Sequence, residues 1–161
     1  MTEREYNICV NLYANNVYRF ILKNLRHEED ARDVVQSAFE KMWMNRDNVD
    51  TDRSKSYLFA IAYNQMIDHI RKNKRIYMQD VFPENAVGSE KPRNDTKRIL
   101  NEALSRLSET QRSLVMLKDY EGYSYKEIGQ IMNMNESQVK VYLHRARLIL
   151  KEYIVKVENV L

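Results

Sequence analysis

SYKEIGQIMNMNESQVKVYLHRARLILK, residues 124–151, is the stretch whose reading decides the fold. It holds two helical segments, each opened by its own capping box. Ser124 can accept from the backbone N–H of Glu127 while the Glu127 carboxylate reaches back, and Asn135 with Gln138 repeats the arrangement downstream. Between them Asn133 suits the left-handed conformation that ends a helix. Brief helices meeting at so tight a turn read as helix-turn-helix, which lays its second helix in the DNA major groove. Ile128, Ile131 and Met132 form the inward stripe of the first segment; Val139, Leu143, Ala146 and Leu150 form that of the second. The opposite face shows Ser137, Lys140, Val141 and His144, with Arg145, Arg147 and Lys151 toward its edges. Gly129 sits mid-helix at ~1 kcal/mol against alanine, and its missing side chain lets the second helix pack close. The same pattern fits an ordinary helical hairpin with a solvated basic face.

Composition points the same way. Among 161 residues there are three glycines and two prolines, with abundant Leu, Met, Glu, Lys and Arg, which favours helix over sheet. The single cysteine, Cys9, excludes an internal disulfide, fits a reducing compartment and reads as a small apolar residue packing near the first helix. Glu3 and Glu5 replace any apolar signal region, and no apolar run reaches membrane-spanning length. The expectation is a soluble, cytoplasmic protein without membrane insertion. The net charge of +3 is modest for a nucleic-acid binder. Affinity grows steeply with the number of phosphates neutralised, so unaided duplex binding is expected to be weak, with a larger partner supplying the rest.

Both prolines and Gly88 fall between Ile76 and Asp95, a linker composition. The expected organisation is all-α: two small helical domains, 1–75 and 96–161, joined by a flexible linker, 76–95. Fully extended, such a linker spans up to ~65 Å, nearly two DNA turns of ~34 Å each. Upstream, Tyr6, Val10, Tyr13, Val17, Phe20, Ile21 and Leu25 mark one apolar face. Ala31, Val34, Val35, Ala38, Phe39, Met42 and Trp43 mark a second, behind the acidic Glu28-Glu29-Asp30 that suits a helix N-terminus. Leu58, Ile61, Ala62, Met66 and Ile70 mark a third. Downstream, Ile99, Leu100, Ala103, Leu104 and Leu107 begin another helix, and Ser108 to Gln111 cap one more that ends near Gly122.

Elsewhere two stripes invite a functional reading. Tyr57, Asn64, Asp68 and Arg71 share one side of the third helix, followed by Lys72, Lys74 and Arg75. An aromatic, an amide and a guanidinium suit an unpaired strand, but the pattern fits equally a solvated face with an Asp68–Arg71 or Asp68–Lys72 pair. Asp33, Gln36, Ser37, Glu40 and Lys41 lie opposite the apolar stripe of the second helix, as a partner surface or a face turned to water. Catalytic constellations are hard to find. His27 beside Glu28, Glu29 and Asp30 splays outward rather than converging, as does Asp68-His69. No glycine-rich phosphate loop or paired His/Cys set occurs, so no metal, cofactor or catalytic residue is expected.

With these segments assembled, the chain resembles an extracytoplasmic-function (ECF) sigma factor of bacterial RNA polymerase over nearly its whole length. Asp30 to Phe39, through Trp43, looks like the region-two helix that docks on the polymerase clamp. Tyr57-Leu58-Phe59-Ala60-Ile61-Ala62-Tyr63-Asn64 with Asp68 and Arg71 looks like the promoter-melting helix. Leu104 to Arg112, Tyr120 to Gly129, and Val139 to Arg147 look like region four. The resemblance implies polymerase contacts at Asp33, Gln36 and Glu40. It implies −10 contacts at Tyr57, Asn64, Arg71 and Lys72, with Arg46 to Lys55 as the loop holding a flipped base. It places Ser137, Lys140, Val141, His144, Arg145 and Arg147 toward the −35 duplex. Core RNA polymerase, promoter DNA and an anti-sigma factor are the implied partners of a chain that is monomeric when free. Tyr57 stands where tryptophan is usual, Tyr63 where arginine is common, and Val141 where a small polar residue is usual. The rival reading is a stand-alone helix-turn-helix repressor, which would dimerise on a symmetric operator; no long heptad seam supports it, and it leaves 1–75 unexplained.

Overall fold

The computed structural model describes residues 1–77 and 95–160, all of them helical or in short connections, with no strand among them. The expected linker falls mostly outside the described residues. The chain divides into two compact units. The first is built on α1 (Glu3–Leu25), α2 (Glu28–Met44) and α3 (Ser54–Tyr77), which pack on one another. The second is built on α4 (Asp95–Ser105), α5 (Glu109–Val115) and the long α7 (Glu136–Val160), with α6 (Tyr125–Met132) leading into α7.

In the first unit the helix starts are set locally. Thr2 and Glu5 form a capping box at α1, and His27 caps α2, its Nδ1 accepting from the Asp30 amide at 3.2 Å. The core is where the apolar stripes meet. Val17, Phe20 and Ile21 of α1, Ala31, Ala38 and Met42 of α2, and Leu58, Ala62 and Met66 of α3 are fully excluded from solvent. Phe59, outside the expected stripe, is also fully buried, its ring 5.5 Å from that of Phe20. Burying one such ring stabilises by about 1.5–3 kcal/mol. Tyr63 is buried as well, so at this position an aromatic core residue stands where a charge is common in the resembled family. Cys9 is buried within α1 itself, and that burial pushes its thiol pKa up against the Ser54 contact that lowers it.

One corner of this unit is tied by distant residues. The Met1 ammonium donates to the carbonyls of Arg46 and Val49, the Tyr6 hydroxyl donates to Phe39 O at 3.0 Å, and the Thr51 hydroxyl donates to Glu5. Trp43 meets the edge of Tyr6 and carries the Arg46 guanidinium 3.9 Å above its ring.

In the second unit a further capping box, Ser108 with Gln111, opens α5. Arg112 is buried and aims its guanidinium at the end of α4, donating to Leu104 O at 2.9 Å and Leu107 O at 2.8 Å. A guanidinium is favourable there because the last carbonyls of a helix lack intrahelical donors and carry partial negative charge. α5 then widens into a π turn, Met116–Tyr120, in which the Glu121 amide reaches back to Met116 O. Gly122 closes it at φ 75°.

Candidate nucleic-acid interfaces

The helix-turn-helix is built as its caps require. Ser124 N–H donates to Glu127 at 3.0 Å and Glu127 N–H returns to Ser124 Oγ at 3.1 Å; the Asn135–Gln138 pair does the same at 3.0 and 2.8 Å. Asn133 takes φ 56°, and the Met134 amide bonds Gly129 O at 2.9 Å. A Cβ on Gly129 would lie 2.5 Å from Met134 O, and only 3.8 Å from the Val139 side chain. The glycine therefore makes room first for the carbonyl of the turn and only second for α7, which refines the expectation of close helix packing. Ile128, Ile131 and Met132, then Val139, Leu143 and Ala146, are buried as expected, while Leu150 is half-buried.

Ser137, Lys140, Val141, His144 and Arg145 are all exposed on α7, Val141 at 47%. Leu148 is exposed as well, off the inward stripe. Arg147 is different: its guanidinium grips Asp119 of the π turn, with Nη2 at 2.6 Å and Nε at 3.4 Å. That carboxylate holds the Arg147 pKa above its usual value. Lys140 extends over the ring of Tyr125, its Nζ 5.4 Å from the centroid, and Lys118 approaches the same ring to 4.5 Å. Sequence reasoning gave Tyr125, Lys118 and Asp119 no role. Periodicity along one helix is silent about contacts that cross from a π turn to two other helices.

The first unit presents its candidate residues on two helices. Asn64, Arg71 and Lys72 are exposed on α3 and Tyr57 is half-buried. No ion pair joins Asp68 to Arg71 or Lys72 among the described residues. On α2, Asp33, Gln36 and Glu40 are exposed, with Gln36 donating to Glu40 at 3.4 Å. Ser37, expected on that face, is half-buried and donates instead to Gln65 of α3 at 3.3 Å. Gln36 borders a groove of about 380 Å³ between α1 and α2, whereas Asp33 lines one of about 310 Å³ between α2 and α3 with Asp68 and Lys72. The α2 stripe thus faces two grooves. His69 of α3 approaches Asp30 at 3.3 Å, yet no group of three potential ligands converges on a metal position among the described residues.

Comparison with known proteins gives this geometry a lineage. A family model described as sigma-70 region 2 matches residues 9–76, and one described as sigma-70 region 4 matches residues 97–150. The ECF RNA polymerase sigma factor SigM of Bacillus subtilis (strain 168) is 33% identical over 146 residues, which covers 87% of this chain and 89% of that protein. The chain belongs to the ECF sigma factors. SigW of the same organism, also an ECF sigma factor, is 30% identical across 89% of the chain and 85% of its own length. Among solved structures, the sigma factor RpoE from Bartonella quintana, in complex with the anti-sigma factor NepR, superposes with a TM-score of 0.76 at 25% identity, covering 90% of this chain and 93% of that one. CnrH, solved with the cytosolic domain of CnrY, shares the fold at a TM-score of 0.71 and 22% identity, covering 96% and 90%. As an ECF sigma factor the chain directs RNA polymerase to promoters through helical domains of region-2 and region-4 type, and it is not an enzyme.

Proposed function

We propose that this sigma factor divides promoter recognition between residues 1–75, acting as region 2, and residues 96–161, acting as region 4, with 76–95 as the linker. The observation that carries this reading is the doubly capped turn that presents Lys140, Val141, His144 and Arg145 together on the exposed side of α7. Inserted in the −35 major groove, Lys140 and Arg145 supply donors for guanine's acceptor edge, and Val141 an apolar contact for a thymine methyl. Ser137 and His144 flank them. Arg147, at the edge, reaches the duplex only with donors not engaged by Asp119.

In region 2, Asn64 and Tyr57 meet the opened −10 strand while Arg71 and Lys72 neutralise its phosphates. The exposed amide and cations of α3 support this role. Stacking and pocket contacts of about 1–3 kcal/mol per base offset strand separation. Asp33, Gln36 and Glu40 dock on the polymerase. The solved relatives extend the partners further: RpoE of Bartonella quintana is bound by an anti-sigma factor, and an anti-sigma partner is assigned to this chain on that likeness. The free chain is a cytoplasmic monomer that meets its polymerase in solution; no described helix is long and apolar enough to cross a membrane.

Run-off transcription with purified core polymerase and a promoter library tests the division. Asn64→Ala should lower permanganate reactivity of −10 thymines while −35 duplex preference persists. Unchanged permanganate reactivity removes Asn64 from strand opening, and failure of the wild-type chain to direct any start site removes the whole reading.

A further inference from the structure

Tyr125, the first residue of α6, is half-buried and has two ammonium groups over its ring: Lys118 of the π turn at 4.5 Å and Lys140 of α7 at 5.4 Å from the centroid. The neighbouring Arg147 of α7 is clamped to Asp119 of the same π turn. The negative face of an aromatic ring attracts cations within about 6 Å. Lys118 is half-buried, whereas Lys140 is exposed. Lys118 approaches the ring from the π turn, and Lys140 is its solvent-exposed partner.

A lysine stem is flexible, and ordering it on binding lowers affinity and blurs the direction in which its donors point. A ring that already holds the stem in one orientation removes part of that loss and favours one base position over its neighbours. We propose that Tyr125 is a positioning residue that orients Lys140 and thereby sharpens base preference at the −35 position Lys140 reads. The inference rests on the reading of Lys140 as a base contact.

The test compares −35 preference profiles, from run-off transcription with core polymerase, for the full-length chain and its Tyr125→Leu, Tyr125→Phe, Lys140→Ala and Tyr125→Leu/Lys140→Ala variants. Lys140→Ala should flatten preference at one position. Tyr125→Leu should reduce discrimination at that same position by about 2- to 5-fold and leave the others alone, while Tyr125→Phe, which keeps the ring and loses the hydroxyl, stays near wild type. The double variant should match Lys140→Ala. Tyr125→Leu lowering all promoters equally, or leaving the profile intact while Lys140→Ala flattens it, overturns the positioning role. No effect of Lys140→Ala on preference overturns the base contact itself, and the positioning role with it. A measurement independent of DNA completes the test: in the wild-type chain the ε-methylene protons of Lys140 should show an upfield ring-current shift that vanishes in Tyr125→Leu. Its absence from the wild type overturns the inference regardless of how the variants fold.

Discussion

The helix-turn-helix and the N-terminal corner of the first unit are held in opposite ways. In the turn, each capping bond joins residues three apart, Ser124 with Glu127 and Asn135 with Gln138. In the corner, Met1 reaches Arg46, Tyr6 reaches Phe39 and Thr51 reaches Glu5 across 45, 33 and 46 residues. Local bonds form with little loop-closure cost, whereas distant ones appear only once the bundle has brought their partners together. The recognition turn is thus specified by its own residues, and the corner by the fold around it.

The largest effect that tests this contrast is expected from Phe20→Ala. The ring is fully buried against Phe59, and its loss should destabilise the first unit by about 3–5 kcal/mol. Amide hydrogen exchange in the full chain should show protection falling in α1–α3. An equal fall in α7 would break the comparison, because the two units would then unfold as one.

A smaller effect is expected from Gly129→Ala. Alanine gains ~1 kcal/mol of helix propensity, but its Cβ would sit 2.5 Å from a backbone carbonyl that is fixed by the turn. The clash wins, and a net loss of about 1–3 kcal/mol should appear in the protection of α6 and the first turns of α7. A stabilised variant would mean that the turn can relax, and that it is less rigidly specified than its capping bonds imply.

The smallest effect sharpens the other side of the comparison. Hydrogen bonds from the Thr51 hydroxyl and the Thr2 backbone hold the Glu5 carboxylate pKa at about 2, down from 4.5. A lowered carboxylate pKa contributes stability above about pH 4.5 that is lost as pH falls toward 2. Glu5→Gln should make the acid limb of the stability curve shallower in that window. An acid limb identical to wild type would show that neither the distant Thr51 bond nor the local Thr2 bond to this carboxylate adds stability.

What could be read from sequence follows the same division. The caps at Ser108, Ser124 and Asn135 and the αL Asn133 lie within one turn of their partners and are legible, and helical periodicity alone marks the buried faces of α6 and α7, although α7 packs on the distant α4 and α5. Gly129 was legible as a packing device, although the atom it accommodates is a carbonyl of the turn. Phe59 escaped because it lies one residue off the inward stripe and becomes core only through Phe20, on another helix. Ser37 looked like surface because its Gln65 partner is on α3. In the candidate site, Lys140 and its exposed neighbours follow from helical periodicity, but the Asp119 partner of Arg147 and the Tyr125 ring beneath Lys140 depend on a π turn that no residue pattern announced.

That π turn has a consequence for anyone re-engineering the chain. Met116–Tyr120 closes with an i→i+5 bond, which encloses one residue more than the i→i+4 bond of a regular helix. Each residue rotates a helix by about 100°. Deleting a single residue there would restore ordinary winding and swing Lys118 and Asp119 away from α7 at once. The frame beneath the recognition helix could be dismantled in this way without altering any side chain proposed to touch DNA.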